Sequence, residues 1–352
     1  MGYFNKLNKF VKEYFNILSG GDIPDFLEEY IMTDEMQRIS KISMCCGTDY
    51  SNIFDNKFFY SNLEHSVGVA LIVWNFTKDR KQTLAGLFHD IATPVFKHCI
   101  DFMNGDHEKQ ESTEELTTEI ISNSKQIMSL LKRDGIALEE VNDYKLYPIA
   151  DNDTPKLSAD RFEYNFSCGF AVEDVWKNLE DIREAYQDIT ILKNEEGIIE
   201  LGFKTKEIAE KYISKVKRVW RFLYCNEDKI VMQFIADTVK KMSDREYLTK
   251  NDLYALSEEE VIEMILNCKD KDISENFKKF QKIDKVYDSD IKVEGKYCIN
   301  IKAKRRYIIP LVSDNGLTKR INEISDKAKK EIDEYLNYNT AKYTYIDLDY
   351  GN

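Results

Sequence analysis

The sequence predicts a mainly α-helical protein that carries a smaller α+β lobe in its C-terminal part. Only 5 prolines and 14 glycines interrupt the 352 residues, so most segments lack a strong helix breaker. Within these segments apolar residues recur three and four positions apart, which is the spacing of an amphipathic helix. Runs with β character start only after about residue 185, so strands are expected in the second half alone.

The first half is expected to consist of helices with almost no strand. The candidate helices cover residues 7–17, 34–44, 62–76, 82–90, 94–102, 112–122, 125–132 and 157–166. We therefore predict two parts, a helical core over residues 1–185 and an α+β accessory lobe, packed on that core, over residues 186–352.

The second half mixes strands and helices. The β-rich runs 189–192 and 198–203 flank residues 193–197, Lys-Asn-Glu-Glu-Gly, which are typical of a hairpin loop. A long helix is predicted over residues 206–242, and Ser257 with Glu260 forms a capping box that opens another. The remaining predicted elements are strands at 291–301 and 306–312, a helix at 318–336 and a strand at 343–348.

Composition and charge exclude several classes of protein. Hydrophobic residues make up 43% of the chain, which excludes general disorder. The formal net charge of −13 argues against nucleic acid as a partner. The most apolar run, residues 67–74, is far shorter than the about 20 residues that span a bilayer. Seven cysteines without a CxxC pattern indicate a reducing compartment, so we expect a cytoplasmic protein without a membrane partner.

The four histidines, His65, His89, His98 and His107, all lie within 43 residues of a 352-residue chain. His89 and Asp90 end an apolar helix, where an imidazole and a carboxylate can reach the same ion. A divalent transition metal accepts such a mixed nitrogen and oxygen set. Taken alone, however, a His-Asp pair is more often a helix end without a metal.

Two further residues extend the candidate ligand set. His65 lies on the apolar face of a helix, where a hydrogen-bonded core histidine is the simpler interpretation. Asp160 lies on another apolar helix, and by itself it could equally be a helix N-terminal charge or half of a salt bridge. The case for a metal site rests on the set and not on any one member.

The order His, His-Asp, Asp, each on a helix, resembles the HD-domain superfamily of metal-dependent phosphohydrolases. It resembles more closely the deoxynucleotide triphosphohydrolase, or dGTPase-like, branch. Similar motifs of that branch are "TPxFQRL", "xRFEHSxG", "HDxGxxPFxHxxD", "HExxS", "DxxxY" and a C-terminal basic segment, which correspond to residues 33–39, 62–68, 89–101, 107–112, 160–164 and 304–312.

The resemblance implies an HD-domain helical core and a role for each matching residue. The implied ligands of one divalent ion, Mn, Fe, Ni, Co or Zn, are His65, His89, Asp90 and Asp160. Mg could also accompany the substrate. The residues implied on the leaving-group side of the phosphate are His98, Asp101 and His107. Arg161 is implied to contact the phosphates of the substrate, and Tyr164 its sugar.

The implied activity is hydrolysis of a nucleotide phosphate ester or anhydride, here a deoxynucleoside triphosphate to deoxynucleoside and triphosphate, by a homo-oligomer. Three departures oppose the finer assignment. Thr93 replaces a common histidine, Asn62 replaces a common arginine, and Met44-Cys45-Cys46-Gly47 replaces Gln-Leu-Gly. A nucleotidase or phosphomonoesterase, a weakly active nucleotide-binding regulator, and a helical interaction protein without a metal therefore remain alternatives.

Two basic clusters complete the candidate sites. Lys211, Lys215 and Arg218 form a stripe that is best interpreted as a solvated helix face. The segment 302–306 contains four basic residues, which could bind the phosphates of a nucleotide at a subunit boundary or an allosteric site.

Overall fold

A computed structural model of the chain describes residues 2–54, 59–171, 175–314 and 316–350. Within these ranges, none of the helices combines the length and the apolar character that a bilayer crossing requires.

The fold is mainly α-helical with two small sheets, as the sequence predicts. Helices of the first half are α1 (Tyr3–Lys6), α2 (Lys9–Leu18), α3 (Leu27–Ile31), α4 (Asp34–Ile39), α5 (Asn62–Thr77), α6 (Arg80–Phe88), α7 (His98–Met103), α8 (Thr117–Asn123), α9 (Lys125–Asp134), α10 (Ala159–Ala171) and α11 (Leu179–Gln187). Helices of the second half are α12 (Lys206–Phe222), α13 (Asn226–Asp244), α14 (Lys250–Ala255), α15 (Glu258–Leu266), α16 (Lys271–Phe280), α17 (Ile321–Ile324) and α18 (Asp326–Leu336).

The strands lie in the second half and form one sheet of four strands and one of three. They are β1 (Ile189–Lys193), β2 (Ile199–Phe203), β3 (Tyr287–Ser289), β4 (Lys296–Ile299), β5 (Leu311–Asp314), β6 (Leu317–Arg320) and β7 (Tyr343–Asp349). The larger sheet has the order β1-β2-β5-β6, with β2 parallel to β5 and the other pairs antiparallel. The smaller has the order β3-β7-β4 and is antiparallel. The predicted hairpin is confirmed, with Ile189 opposite Phe203 and Lys193 opposite Ile199.

Helices α5 and α6 form the closely packed pair that carries part of the candidate site. Ser61 and Glu64 form a capping box at the start of α5, so the helix begins three residues before His65. Asp79 caps α6 by accepting hydrogen bonds from two backbone N–H groups. Gly86 lets the two helices approach, since a Cβ there would lie 3.3 Å from Val73 Cγ2.

The predicted single helix over residues 206–242 is wrong, because the chain breaks at Leu223 and starts again as α13. Cys225 is the N-cap of α13, and its thiol accepts a hydrogen bond from the N–H of Asp228. Neither glycine nor proline marks this break in the sequence. The uninterrupted apolar periodicity on both sides therefore suggested one helix.

Several other predicted helices have wrong bounds. The helix predicted from residue 34 to 44 ends at Ile39, and the one predicted from 94 starts only at His98, after two residues with positive φ. The helix predicted over 318–336 begins with strand β6 and is divided at Ser325, which caps α18. Helices α1, α3, α11, α14 and α16 had no counterpart among the predicted elements.

Buried apolar side chains form two clusters, and both combine residues from before and after residue 186. The larger cluster includes side chains of α2, α5, α10 and α12, and the smaller one side chains of α7, α13, α15 and α16. Phe162 is fully buried in the first, and Phe234 is almost fully buried in the second. The division of the chain at residue 186 and the HD-domain nature of the helical core stay predictions.

Glu258, at the start of α15, forms hydrogen bonds with Tyr50 and with the loop that precedes α7. Its buried carboxylate accepts a hydrogen bond from Tyr50 Oη at 2.7 Å and one from the N–H of Phe96 at 3.3 Å. Burial raises the pKa of this carboxyl from 4.5 to about 8, although the Tyr50 hydroxyl lowers it in part.

This raised pKa predicts how stability depends on pH. Between pH 4.5 and pH 8 the native Glu258 holds a proton that the unfolded chain has lost, so the stability of the native protein falls as pH rises. The variant Glu258→Gln has no titrating carboxyl at this position, so this fall in stability with rising pH is absent from it. Its free energy of unfolding relative to wild type should rise from pH 5 to about pH 8 by up to about 1.4 kcal/mol per pH unit and then level off.

Urea unfolding at pH 5, 7 and 9 measures the effect. The exposed neighbour Glu259→Gln is the matched control and should keep a constant difference from wild type. If the free energy of unfolding of Glu258→Gln also differs from that of wild type by the same amount at every pH, the raised pKa of Glu258 is contradicted.

Candidate metal centre

Donor atoms from α5, from the two residues after α6 and from α10 surround the Nε2 atoms of two imidazoles. His65 comes from α5, His89 and Asp90 directly follow α6, and Asp160 is in the first turn of α10. His65 Nε2 lies 3.1 Å from His89 Nε2 and 3.1 Å from Asp160 Oδ1. Asp90 Oδ2 lies 3.8 Å from His65 Nε2 and 3.7 Å from His89 Nε2.

Both imidazoles are oriented by a hydrogen bond at Nδ1, which leaves Nε2 directed at the cluster. His65 Nδ1 lies 2.5 Å from Glu163 Oε2, and His89 Nδ1 lies 2.7 Å from the backbone oxygen of Gly86. With Nδ1–H donating in each ring, Nε2 of the neutral imidazole carries a lone pair. This arrangement of carboxylate or carbonyl, imidazole and free nitrogen is typical of metal-binding histidines.

Glu163 contacts the cluster through His65, and the sequence interpretation did not identify it. Its carboxylate is fully buried and also accepts hydrogen bonds from Tyr14 Oη at 3.0 Å and Tyr60 Oη at 2.8 Å. Gly68 makes the room, because a Cβ there would lie 2.8 Å from Glu163 Cγ. The signal was present as the spacing of three residues between Asp160 and Glu163, which places both on one side of α10.

The charges of the cluster are strongly coupled. Burial opposes a charged imidazole, yet the carboxylates of Glu163 and Asp160 raise the pKa of His65 to about 9. Burial also opposes the charge of Asp90, but Lys97 and the two imidazoles hold its pKa well below the usual value. The pKa of Asp160 is likewise held low, because the neighbouring imidazoles of His65 and His89 outweigh the effect of burial. A positive charge at the centre of the cluster is therefore favoured electrostatically.

The donor set fits a divalent transition metal ion. An ion with bonds of about 2.1 Å separates neighbouring donors by about 3.0 to 3.4 Å in octahedral or tetrahedral geometry. His65, His89 and Asp160 offer donor atoms within 4.8 Å of one another, and Asp90 approaches both imidazoles. Mixed imidazole and carboxylate ligands suit Zn, Fe, Mn, Co or Ni.

Lys97 is a second residue that the sequence interpretation missed. Its ammonium group is buried and lies 2.9 Å from Asp90 Oδ2 and 3.2 Å from Met44 Sδ. It also donates a hydrogen bond to Asn62 Oδ1. The Asn62 amide in turn donates to Thr93 Oγ1 at 3.0 Å. Two of the positions at which the sequence departs from the superfamily motif therefore contact each other beside the cluster.

The predicted acids occupy different environments. His98 Nδ1 lies 2.9 Å from Asp101 Oδ2, and Ser112 Oγ donates to the other oxygen of Asp101 at 2.7 Å. His98 lines the same cavity as the cluster, and burial lowers its pKa although Asp101 acts in the opposite direction. His107 Nε2 lies instead 2.9 Å from Gln233 Oε1, and the described cavity wall does not include His107.

The cluster opens into a cavity of about 770 Å³. Its wall includes both predicted substrate contacts, Arg161 and Tyr164. The Arg161 guanidinium, however, already donates to Lys156 O at 2.8 Å and to Asn152 Oδ1 at 2.5 Å. Arg161 therefore shapes the cavity wall, and Tyr164 lies on that wall one turn beyond Asp160.

The second basic cluster lies partly in this cavity and not at a remote site. Lys304 and Arg306 line it, and Arg306 Nη2 donates to Gln110 Oε1 at 2.6 Å. Arg305 points elsewhere, to the backbone oxygens of Tyr335 and Tyr338. In the first cluster, Lys211 and Lys215 pair with the carboxylates of Glu184 and Asp181, which agrees with a solvated helix face.

Known proteins similar to this chain include one of unknown function and one named enzyme. No protein-family profile matches the chain. The uncharacterized protein YdhJ of Bacillus subtilis (strain 168) is 23% identical over 328 residues, which are 93% of this chain and 95% of YdhJ. The metal-dependent phosphohydrolase cns2 of Cordyceps militaris is 26% identical over 167 residues, which are 45% of this chain and 46% of cns2.

Two crystal structures share the fold. A hypothetical protein from Aquifex aeolicus superposes with a TM-score of 0.64 at 16% identity, covering 93% of each chain. A phosphohydrolase from Bacteroides thetaiotaomicron VPI-5482 superposes with a TM-score of 0.64 at 13% identity, covering 94% of this chain and 97% of that one. At these identities the likeness establishes the fold.

Removal of the Glu163 charge should weaken metal binding. Glu163→Gln keeps the size of the side chain but replaces the anion that orients and charges His65. Because such outer partners typically contribute 10- to 100-fold, the Kd for Mn²⁺ should rise by about that factor. Isothermal titration calorimetry with Mn²⁺ measures it.

The matched control is Glu200→Gln, at another almost fully buried carboxylate, which pairs with Arg320. This variant should lose stability but keep the affinity for Mn²⁺. Equal Mn²⁺ affinities for Glu163→Gln and wild type would rule out the orienting role of Glu163.

Proposed function

We propose that this protein is a metal-dependent phosphohydrolase that binds one divalent transition metal ion through His65, His89, Asp90 and Asp160. The observation that carries the proposal is that the two imidazole Nε2 atoms lie 3.1 Å apart and that one oxygen each of Asp90 and Asp160 lies 3.1–3.8 Å from these nitrogens. The names of cns2 and of the Bacteroides thetaiotaomicron structure, both phosphohydrolases, support the reaction class. The resemblance to the HD-domain superfamily supports the ligand set.

His98 is the proposed proton donor to the leaving group. Its Nδ1 is held by Asp101, so Nε2 is the nitrogen that can hold and give a proton. When bound, a divalent ion supplies Lewis acidity that activates water and offsets phosphate charge. The Asp101 carboxylate, fixed by Ser112, orients the imidazole and favours its protonated form. His107, bound to Gln233, is the weaker candidate for this role.

The proposed substrate is a nucleotide, and specifically a deoxynucleoside triphosphate that is cleaved to deoxynucleoside and triphosphate. The cavity volume of about 770 Å³ lies in the range that accommodates a ligand of this size. Lys304 and Arg306 bring cationic groups to the same wall and suit a substrate with several phosphate charges. Tyr164 on the wall would face the sugar.

A nucleotidase or phosphomonoesterase is the second candidate. A specific observation favours it, since Asn62 and Thr93 hydrogen-bond to each other at 3.0 Å and bring neither a guanidinium nor an imidazole to the phosphate. Met44, Cys45 and Cys46 line the cavity and replace the segment that reads the sugar hydroxyl in the triphosphohydrolase branch.

A hydrolysis screen tests the proposal. Wild type is assayed against deoxynucleoside triphosphates, nucleoside monophosphates and simple phosphomonoesters with Mn, Mg, Co, Ni and Fe, beside Asp90→Ala. We expect metal-dependent release of triphosphate from a deoxynucleoside triphosphate, and its loss in Asp90→Ala or after chelation. Release of phosphate from monophosphates alone would favour the second candidate, and no metal-dependent release from any substrate would refute both.

The two histidines should differ in their contribution to the rate. His98→Gln removes the acid while leaving the ligands intact, so kcat should fall by about 100- to 10,000-fold without loss of bound metal. His107→Gln should change kcat by less than about threefold, because His107 contacts Gln233 and general acid catalysis needs a group within reach of the leaving oxygen. Steady-state kinetics combined with metal analysis measures both. A larger effect at His107 than at His98 would reverse the assignment.

A further inference from the structure

Lys97 has an unusual backbone for a residue with a side chain. Its φ is 45° and its ψ is −121°, and Phe96 before it has a φ of 65°. These values lie in a region that glycine adopts readily and other residues rarely. Contacts with other segments stabilise this backbone conformation, because the N–H of Phe96 donates a hydrogen bond to Glu258 and the Phe96 ring packs against Tyr50.

The side chain at this strained position is also costly to bury. Lys97 has a relative exposure of only 6%, and a lysine is rarely buried unless it is paired. Its ammonium contacts Asp90, Asn62 and Met44. Strained residues and buried charges cluster where function requires them, so the coincidence of both at one residue calls for a role.

The ammonium lies directly beside the metal cluster. Lys97 Nζ is 2.9 Å from Asp90 Oδ2, the same oxygen that lies 3.7 Å and 3.8 Å from the imidazole nitrogens. The side chain also borders both the main cavity and a small void of about 30 Å³ beside Thr93 and His98. A group that enters the cavity toward the cluster would therefore meet both the ion and the ammonium.

The ligand set offers no net positive charge to a phosphate, and Lys97 can supply one. Two neutral imidazoles and two carboxylates balance a divalent ion, so the ligands leave no positive charge for a phosphate. Asn62 and Thr93 bring none, since both are neutral and bonded to each other. Lys97 is fixed at the same place by Asn62 and Asp90, and an ammonium is a good partner for phosphate oxygens.

We propose that Lys97 is a catalytic residue that binds a phosphoryl oxygen of the substrate next to the metal, from its position beside Asn62 and Asp90. This rests on the proposed phosphohydrolase function. In the protein without substrate the ammonium rests on Asp90 and Asn62, and it exchanges part of these contacts for the phosphate. The alternative role is purely structural, as a counterion that holds Asp90.

The variant Lys97→Gly separates the two roles, because glycine suits the backbone conformation while removing the ammonium. Four properties are measured: melting temperature, bound Mn²⁺ by metal analysis, affinity for inorganic phosphate in the presence of Mn²⁺ by calorimetry, and turnover. We expect wild-type melting and metal content, a phosphate Kd raised at least about tenfold, and kcat lowered about 100- to 1,000-fold. Ethylammonium should restore part of the lost turnover, and Lys97→Arg should retain part of it.

The matched control is Lys229→Met, at a lysine that is 1% exposed and bonds to Thr340 outside the cavity wall. It should lower stability and leave phosphate affinity and kcat unchanged. Loss of a charged contact should change the phosphate Kd by far more than about twofold. A Kd of Lys97→Gly within about twofold of wild type therefore overturns the proposal. Loss of metal together with phosphate overturns it too, as does a wild type that binds no phosphate. A wild type that binds phosphate through Lys97 but hydrolyses no substrate refutes the proposed function and leaves this inference standing.

Discussion

The contact between Glu163 and His65 sets the geometry on which the rest of the candidate site depends. A carboxylate with no solvent exposure is stable only when its oxygens are bonded, and here an imidazole, two tyrosine hydroxyls and Ser167 bond them. These bonds fix the turn of α10 that carries Asp160 against the turn of α5 that carries His65. Gly68 completes the arrangement, because any larger residue on α5 would collide with Glu163.

The sequence identified the side chains that converge better than it predicted the elements that hold them. The helix carrying His65 was predicted within one residue of its true end at Thr77, since its apolar periodicity and its start at Asn62 are both clear. By contrast, the break at Cys225 was invisible, because a thiol is an uncommon N-cap and the apolar spacing continues through it. Periodicity reports burial, and both halves of the broken segment are buried.

The residues missed by sequence reasoning share a physical property. Glu163 and Lys97 are charged side chains that are almost fully buried, and a sequence shows charge but not burial. Neither was singled out, because solvent is the usual place of their residue types. Lys97 could not have been found from periodicity in any case, since the positive φ of Phe96 and Lys97 turns the chain out of the predicted helix and into the cluster. The basic segment 302–306 was recognised, but only the fold shows that Lys304 and Arg306 enter the main cavity while Arg305 does not.

The distribution of charge resolves an apparent conflict between the protein and its proposed substrate. A formal net charge of −13 repels an anion at long range, but screening at physiological ionic strength reduces that repulsion beyond about 8 Å. Inside the cavity the balance differs locally, since Lys97, Lys304 and Arg306 face the same space as the cluster and offset acidic wall residues such as Asp151 and Asp228. The acidic surface then opposes long polyanions, which must contact much of it, more than a compact phosphate compound that fits within the cavity. The proposed preference for a small anionic substrate thus depends on where the cations lie and does not require a protein of positive net charge.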